Sequence, residues 1–251
     1  MAKQSGLGDN LYIDGYDVSG DIGAVNRIAG GLVGTQDVTG INKFAMERIG
    51  LARDGGIDYT SFFNPATDQA HDVLSTLPTT DRIVTYCRGT TLGKPAACVT
   101  SKQLNYDGNR ADDGAYTLQT QTQANGFGLQ WGNQLTAGKR TDTGATNGTG
   151  VDFTASYAFG LVAWVHVFSF TGTDATIKLQ ESSDNGGADP FADVTGGAFT
   201  QVTAARTKER IATSASQTIE RYLRVVTTTT GGFSEMTFAV VVAVNQTATV
   251  F

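Results

Sequence analysis

The segment Tyr116-Thr117-Leu118-Gln119-Thr120-Gln121-Thr122-Gln123 changes side-chain character at every second position. That period belongs to an extended strand and to no helix. Its outward face is polar and uncharged, and Phe127, Leu129 and Trp131 continue the same habit. Turn signals punctuate the rest of the chain at Asp112-Asp113-Gly114, Asp184-Asn185-Gly186-Gly187 and Gly231-Gly232. Only 17% of the 251 residues are charged, while 31 glycines and abundant threonines supply the polar surface. Threonine favours strands and glycine favours turns. With four prolines and 40% hydrophobic residues, the chain has material for a core and no disordered or collagen-like bias. The expected fold class is mainly β: an N-terminal sandwich or partial barrel with one short helix, then a C-terminal antiparallel sandwich.

Strands are expected at residues 11–18 around a glycine, 22–28, 57–63, 81–88, 96–106 and 116–123. The helix is expected at 66–77, where Ala70, Val73, Leu74 and Leu77 form a helical stripe, Thr67 or Asp68 can cap it and Pro78 stops it. Residues 41–53 mix both periods and carry Lys43, Glu47, Arg48 and Arg53, which reads as a long, mobile loop or a hairpin. Residues 139–152 offer almost nothing to bury and read as a linker or exposed loop. Strands resume at 160–170, 175–182, 198–202, 219–228 and 235–245. Two domains follow, 1–150 and 151–251, with no internal repeat.

The formal net charge is −6, with 12 basic and 15 acidic residues in 1–150 and 6 and 9 in 151–251. Phosphate binding needs clustered Lys and Arg, and neither half has such a stripe. Residues 1–6 contain no apolar run of a secretory signal, and Phe238 to Val244 falls short of the ~18 residues of a membrane span. The expectation is a soluble protein made in a cytoplasm, without membrane insertion. Cys87 and Cys98 lie in apolar, strand-like settings, so buried free thiols are expected, with a bridge between neighbouring strands as the alternative.

No Walker or dinucleotide-binding loop and no nucleophile elbow is present, and Asp112-Asp113 is turn chemistry. Residues 184–189 offer oxygen ligands but lack the spacing and closing Glu of a calcium hand. His166, alternating with apolar neighbours in Trp164-Val165-His166-Val167-Phe168, is expected to face solvent or a subunit contact. His71 reads as a half-exposed structural residue. Phe62, Phe63, Trp131, Trp164, Phe168 and Phe170 are expected in the core rather than along a glycan or peptide groove. No metal, no cofactor and no enzymatic activity is expected; binding and assembly are left.

An ordered run of features resembles the tail tube (major tail) protein of long-tailed, siphovirus-type bacteriophages. It comprises Asp14-Gly15-Tyr16-Asp17-Val18-Ser19, Asp37-Val38-Thr39, Leu51-Ala52-Arg53-Asp54-Gly55-Gly56, Phe62-Phe63-Asn64, the short helix, Thr80-Asp81, and Asp113-Gly114-Ala115-Tyr116-Thr117, covering roughly residues 8–140. Residues 173–186, 191–195 and 221–225 resemble an added Ig-like β-sandwich of phage virion proteins. The resemblance implies a virion protein of the tail whose homohexameric rings stack into a tube. Tape measure and tail terminator or tip proteins would be its partners, and DNA would pass through during ejection without sequence-specific binding.

On that basis Gln119, Thr120, Gln121, Thr122 and Gln123 are the candidate lumen or subunit-interface residues. A lumen that lets a polyanion slide should avoid cations that would hold it. The loop with Lys43, Glu47, Arg48 and Arg53 is the candidate inter-ring contact, and residues 2–10 a candidate arm that orders on assembly. The module 151–251 is expected to project outwards, with host surface glycans as a candidate ligand. The alternatives are a capsid decoration or other virion structural protein, and a glycan-binding adhesion protein.

Overall fold

The computed structural model describes residues 5–248; residues 2–4 of the candidate arm lie outside that range. The first part of the chain forms β1 (Asn10–Ile13), β2 (Tyr16–Asp17), β3 (Ile22–Leu32), β4 (Thr35–Asp37), β5 (Arg48–Gly50), β6 (Arg53–Phe62), a short helix α1 (Ala70–Leu74), β7 (Arg82–Cys87) and β8 (Pro95–Gln103). Then come β9 (Asp107–Arg110), β10 (Tyr116–Thr120), β11 (Thr122–Ala124), β12 (Gln130–Gln134), β13 (Arg140–Asp142), β14 (Thr146–Asn147) and β15 (Val151–Asp152). The remainder holds β16 (Leu161–Gly172), β17 (Thr176–Ser182), β18 (Ala192–Ala198), β19 (Thr207–Ala212), β20 (Tyr222–Thr228) and β21 (Phe233–Val244). The fold is mainly β, as expected.

One ten-stranded sheet organises the molecule in the order β19-β16-β21-β12-β8-β7-β1-β2, with β11 beside β8 and β13 beside β21. Its central strands alternate apolar residues toward two different cores. Leu161, Ala163, Val165 and Val167 of β16 face a core shared with Ile177, Leu179, Leu223 and Val225 of a five-stranded sheet built from β14, β15, β17, β18 and β20. Val162, Trp164 and Phe168 face the other way and meet Tyr12, Ile83, Cys87, Ala96 and Cys98 from the far strands of their own sheet. Such contacts require the sheet to curl, as strongly twisted many-stranded sheets do. On the opposite flank, Leu11, Ile13, Val84, Ala97 and Val99 pack against Ile57, Tyr59 and α1. This third core lies under a four-stranded sheet, β3-β6-β10-β9.

The two outer sheets divide near residue 150, but the central sheet takes strands from both sides of that point; β12 pairs β21 through Asn133↔Val242 and Gln134↔Val241. Residues 139–152, expected as a linker or exposed loop, are exposed at most positions but are tied into the sheets. Strand β13 pairs β21, and Asp142, buried, takes two bonds from Arg140 and one from Thr227. Backbone pairing and a buried ion pair replace the apolar burial that the composition lacks.

The expected helix at 66–77 shrinks to five residues because Asp68 (φ 64°) and Leu77 (φ 45°) adopt the left-handed conformation. Neither Thr67 nor Asp68 caps it; Asp21 reaches over to accept the Ala70 N–H at 2.9 Å. Cys87 and Cys98 are buried free thiols, and burial pushes the Cys98 thiol up to about 12.

Candidate assembly surface

The alternating segment 116–123 spans two sheets rather than one. Through Thr120 it pairs with β6 and β9; from Thr122 it pairs with β8 of the central sheet. At the crossing three backbone groups find substitute partners. Asn105 Oδ1 accepts the Gln121 N–H, the Gln121 carbonyl accepts the Leu104 N–H, and Asp58 Oδ1 accepts the Thr122 N–H. The Thr122 hydroxyl accepts the Ile57 N–H and donates to the Ile57 carbonyl, both at 2.9 Å, extending the β6 ladder where the main chain has left it. Gly56 permits this approach, because a Cβ there would stand 2.2 Å from the Thr122 carbonyl oxygen.

The five candidate residues therefore divide between two faces. Gln119, Gln121 and Gln123 are exposed, whereas Thr120 and Thr122 are buried, Thr120 opposite Tyr59. Gln119 stands in a cross-strand row with Ala24, Thr60 and Asp107, beside a second row of Phe62, Thr117 and Asn109. Near them Arg27 pairs with Asp58 at 3.3 Å, and Gln123 donates to Asp54. The outer face of this sheet therefore carries neutral polar groups and carboxylates, with Arg27 paired to Asp58. Both edges of the sheet, β3 and β9, lack a neighbouring strand among the described residues.

Residues 33–51 form a hairpin that prolongs the β3–β6 ribbon. Thr35↔Gly50, Gln36↔Ile49 and Asp37↔Arg48 are paired, and Val33, Val38 and Leu51 add backbone bonds on either side. The Thr39 hydroxyl and N–H hold the Asp37 carboxyl below its usual range. Lys43 and Glu47 pair with each other at 3.0 Å across one turn. Arg48 is exposed opposite Asp37, and Arg53 is exposed at the start of β6 opposite Leu32. Apolar side chains dominate the arm: Ile41 and Phe44 are 110% and 109% exposed, and Val33, Val38, Met46 and Ile49 are exposed as well. Large exposed apolar patches are characteristic of interaction surfaces. The charge-based reading of the loop overlooked this one.

Two other expectations change. Trp164 and Phe168 are core residues, but Phe62, Phe63 and Trp131 are exposed. His166 is buried at 1% exposure, because the second face of β16 is covered by β1, β7 and β8 rather than by water. Alternation shows that a second face exists, not what lies on it. In the loop 184–189, Asp184 spends both carboxylate oxygens on the Gly187, Ala188 and Asp189 N–H groups, which hold its carboxyl below the usual range. No group of three or more His, Cys, Asp or Glu among the described residues is placed to hold a metal, and no described helix is long and apolar enough to cross a membrane.

No protein family model and no curated protein matches the chain. Among solved structures, a chain from the virion of a native gene transfer agent particle is similar over 51% of this chain and 98% of its own, at 13% identity and a TM-score of 0.41. The Dit protein of phage SPP1, a hub of the adsorption apparatus in phages infecting Gram-positive hosts, is similar over 94% of this chain and 99% of its own, at 14% identity and a TM-score of 0.35. A chain of the phage p2 baseplate in its activated conformation with strontium covers 95% and 99%, at 9% identity and a TM-score of 0.32.

Proposed function

We propose that this chain is a virion structural protein, the subunit of a phage tail tube whose rings form by edge-to-edge pairing of the four-stranded sheet. The observation that carries the reading is that sheet's two open edges, β3 on one side and β9 on the other. Head-to-tail pairing of β3 with the β9 of a second copy satisfies the unpaired backbone groups of both and closes a ring when the rotation between copies permits. The face bearing Gln119, Thr60, Thr117 and Asn109 then lines the channel with groups that do not hold a polyanion. The ordered motifs of residues 8–140 support the same reading. The apolar hairpin supplies a contact along the stacking direction, its Lys43–Glu47 pair already satisfied internally. Repeated copies are its partners, and DNA is cargo.

Electron microscopy of concentrated purified protein and of virions that carry it tests the proposal, with stacked rings as the expected product. Trimeric knobs on capsid faces, with no rings under any condition, would favour the decoration-protein alternative. The variant Gln119→Lys with Gln121→Lys should keep the monomer fold, since both side chains are exposed, while reducing DNA passage and infectivity. Unchanged infectivity would remove this face from the channel.

A further inference from the structure

The curled central sheet brings the β1–β2 turn, at its far end, onto β16 and β19. Asp14 (φ 52°) and Gly15 (φ 81°) form a turn of the left-handed type that suits a tight hairpin. The Gly15 N–H donates to His166 Nδ1 at 3.1 Å, and a Cβ on Gly15 would lie 2.7 Å from the Val167 carbonyl oxygen. Arg206, itself left-handed at φ 60°, donates to the Gly15 and Phe168 carbonyls and pairs with Asp68. Three of the six non-glycine residues with positive φ among those described, Asp14, Asp68 and Arg206, therefore converge on one junction. Strained residues persist where surrounding contacts hold them, and they gather at places that switch.

The hydrogen-bond directions at this junction fix the state of His166. Nδ1 accepts from Gly15, so the proton sits on Nε2, which donates to the Thr85 hydroxyl at 2.8 Å; that hydroxyl in turn donates to the Cys98 sulfur at 3.3 Å. A second proton has only Nδ1 to occupy, and there it would confront the Gly15 N–H. Asp14 faces the imidazole from the turn, already spoken for by Lys208 of β19 at 2.5 Å and Arg82 of β7 at 2.9 Å. From β1 the Tyr12 ring approaches to 6.1 Å.

We propose that His166 is the pin of an acid-released latch that holds the β1–β2 turn against β16 and β19. Neutral imidazole seats the turn; imidazolium ejects Gly15 from it and frees the hairpin. Burial pulls the His166 proton affinity down from the ordinary 6.5 to about 4, with Asp14 opposing and Lys208 adding to the effect. The sign is that of a depressed cation. The latched state is fully favoured above pH 6.5, weakens as pH falls and reaches its limit below about 4. The opening equilibrium of the hairpin should rise on the order of 50-fold between pH 7 and pH 4.5.

The test is hydrogen exchange of the full chain at pH 7 and pH 4.5, corrected for intrinsic rates, comparing residues 10–18 with β6 as an internal control. The expected result is a tens-fold loss of protection at residues 10–18 in acid while β6 holds. In His166→Gln, which cannot take up the proton, protection of residues 10–18 should be the same at both pH values. Equal protection in the unmodified chain at the two pH values would overturn the proposal whether or not the variant folds. An acid loss in His166→Gln as large as that of the parent would do the same.

Discussion

Replacing Thr122 by Val keeps the shape of the side chain and deletes only its hydroxyl. That hydroxyl is the sole group given to the Ile57 N–H at the strand crossing, and it also donates to the Ile57 carbonyl, with Thr122 itself 3% exposed. Water cannot take its place at such a site. Each buried backbone group left without a partner costs about 1–3 kcal/mol, so the loss for Thr122→Val should be about 2–4 kcal/mol after allowing for the apolar gain. Thr122→Ser keeps both bonds and loses one buried methyl, for about 1 kcal/mol. Equilibrium urea unfolding of the dilute protein at pH 7, followed by tryptophan fluorescence, reads both numbers. The contrast between the two variants is the diagnostic, because a simple packing role reverses it. A Val variant within ~0.5 kcal/mol of the parent, or a Ser variant as damaging as Val, would refute the role assigned to the hydroxyl.

Three further outcomes are expected. Ile41→Ser with Phe44→Ser should leave the unfolding midpoint of the monomer unchanged, since both side chains are fully exposed, and should reduce ring stacking in sedimentation; undiminished stacking counts against the hairpin contact. A fragment ending at residue 150 loses β16, β19 and β21 and uncovers Tyr12, Ile83 and Cys98, so circular dichroism and solubility should report a chain that does not fold cooperatively, and a well-folded fragment would disprove this. Asp81, Asp152 and Asp193 are held below the usual carboxylate range by hydrogen bonds and cationic neighbours, with Asp152 at about 2, and Asp174 by hydrogen bonds from Thr229, Thr230 and Gly231. Their contribution is present above pH 3.8 and disappears as pH falls through the depressed values, so acid titration of stability should show a second loss below pH 4, separate from the His166 window.

Strand and turn were legible because their signals are local. The alternation of residues 116–120 and the burial of both cysteines follow from residue type and spacing, whereas the strand expected at 11–18 is broken by the Asp14-Gly15 turn into β1 and β2. The crossing at Gln121 was not legible, since the alternation runs through it without a break while the hydrogen-bond partners change sheets. The same blindness affected His166: period two assigns it a face, and only the curl of a sheet whose far strands β1, β7 and β8 lie far upstream along the chain covers that face. Residues 139–152 misled for the opposite reason, because strands held by backbone pairing and the Arg140–Asp142 pair need little apolar content. In the hairpin the charges attracted attention, yet Lys43 and Glu47 neutralise each other and leave Ile41 and Phe44 as the exposed chemistry.

The seam between β12 and β21 also sets a timetable. Asn133 waits for Val242, more than a hundred residues later in synthesis. Until then β12 presents an open edge and the concave core lacks Val162, Trp164 and Val241. Contacts so distant in sequence make folding slow, and an incomplete sheet invites pairing with whatever strand is nearby. A chain meant to add strands between copies must therefore be prevented from doing so too early. On a ribosome this protein is at its most adhesive just before β21 emerges, and conditions that slow translation through residues 134–232 should increase its aggregation.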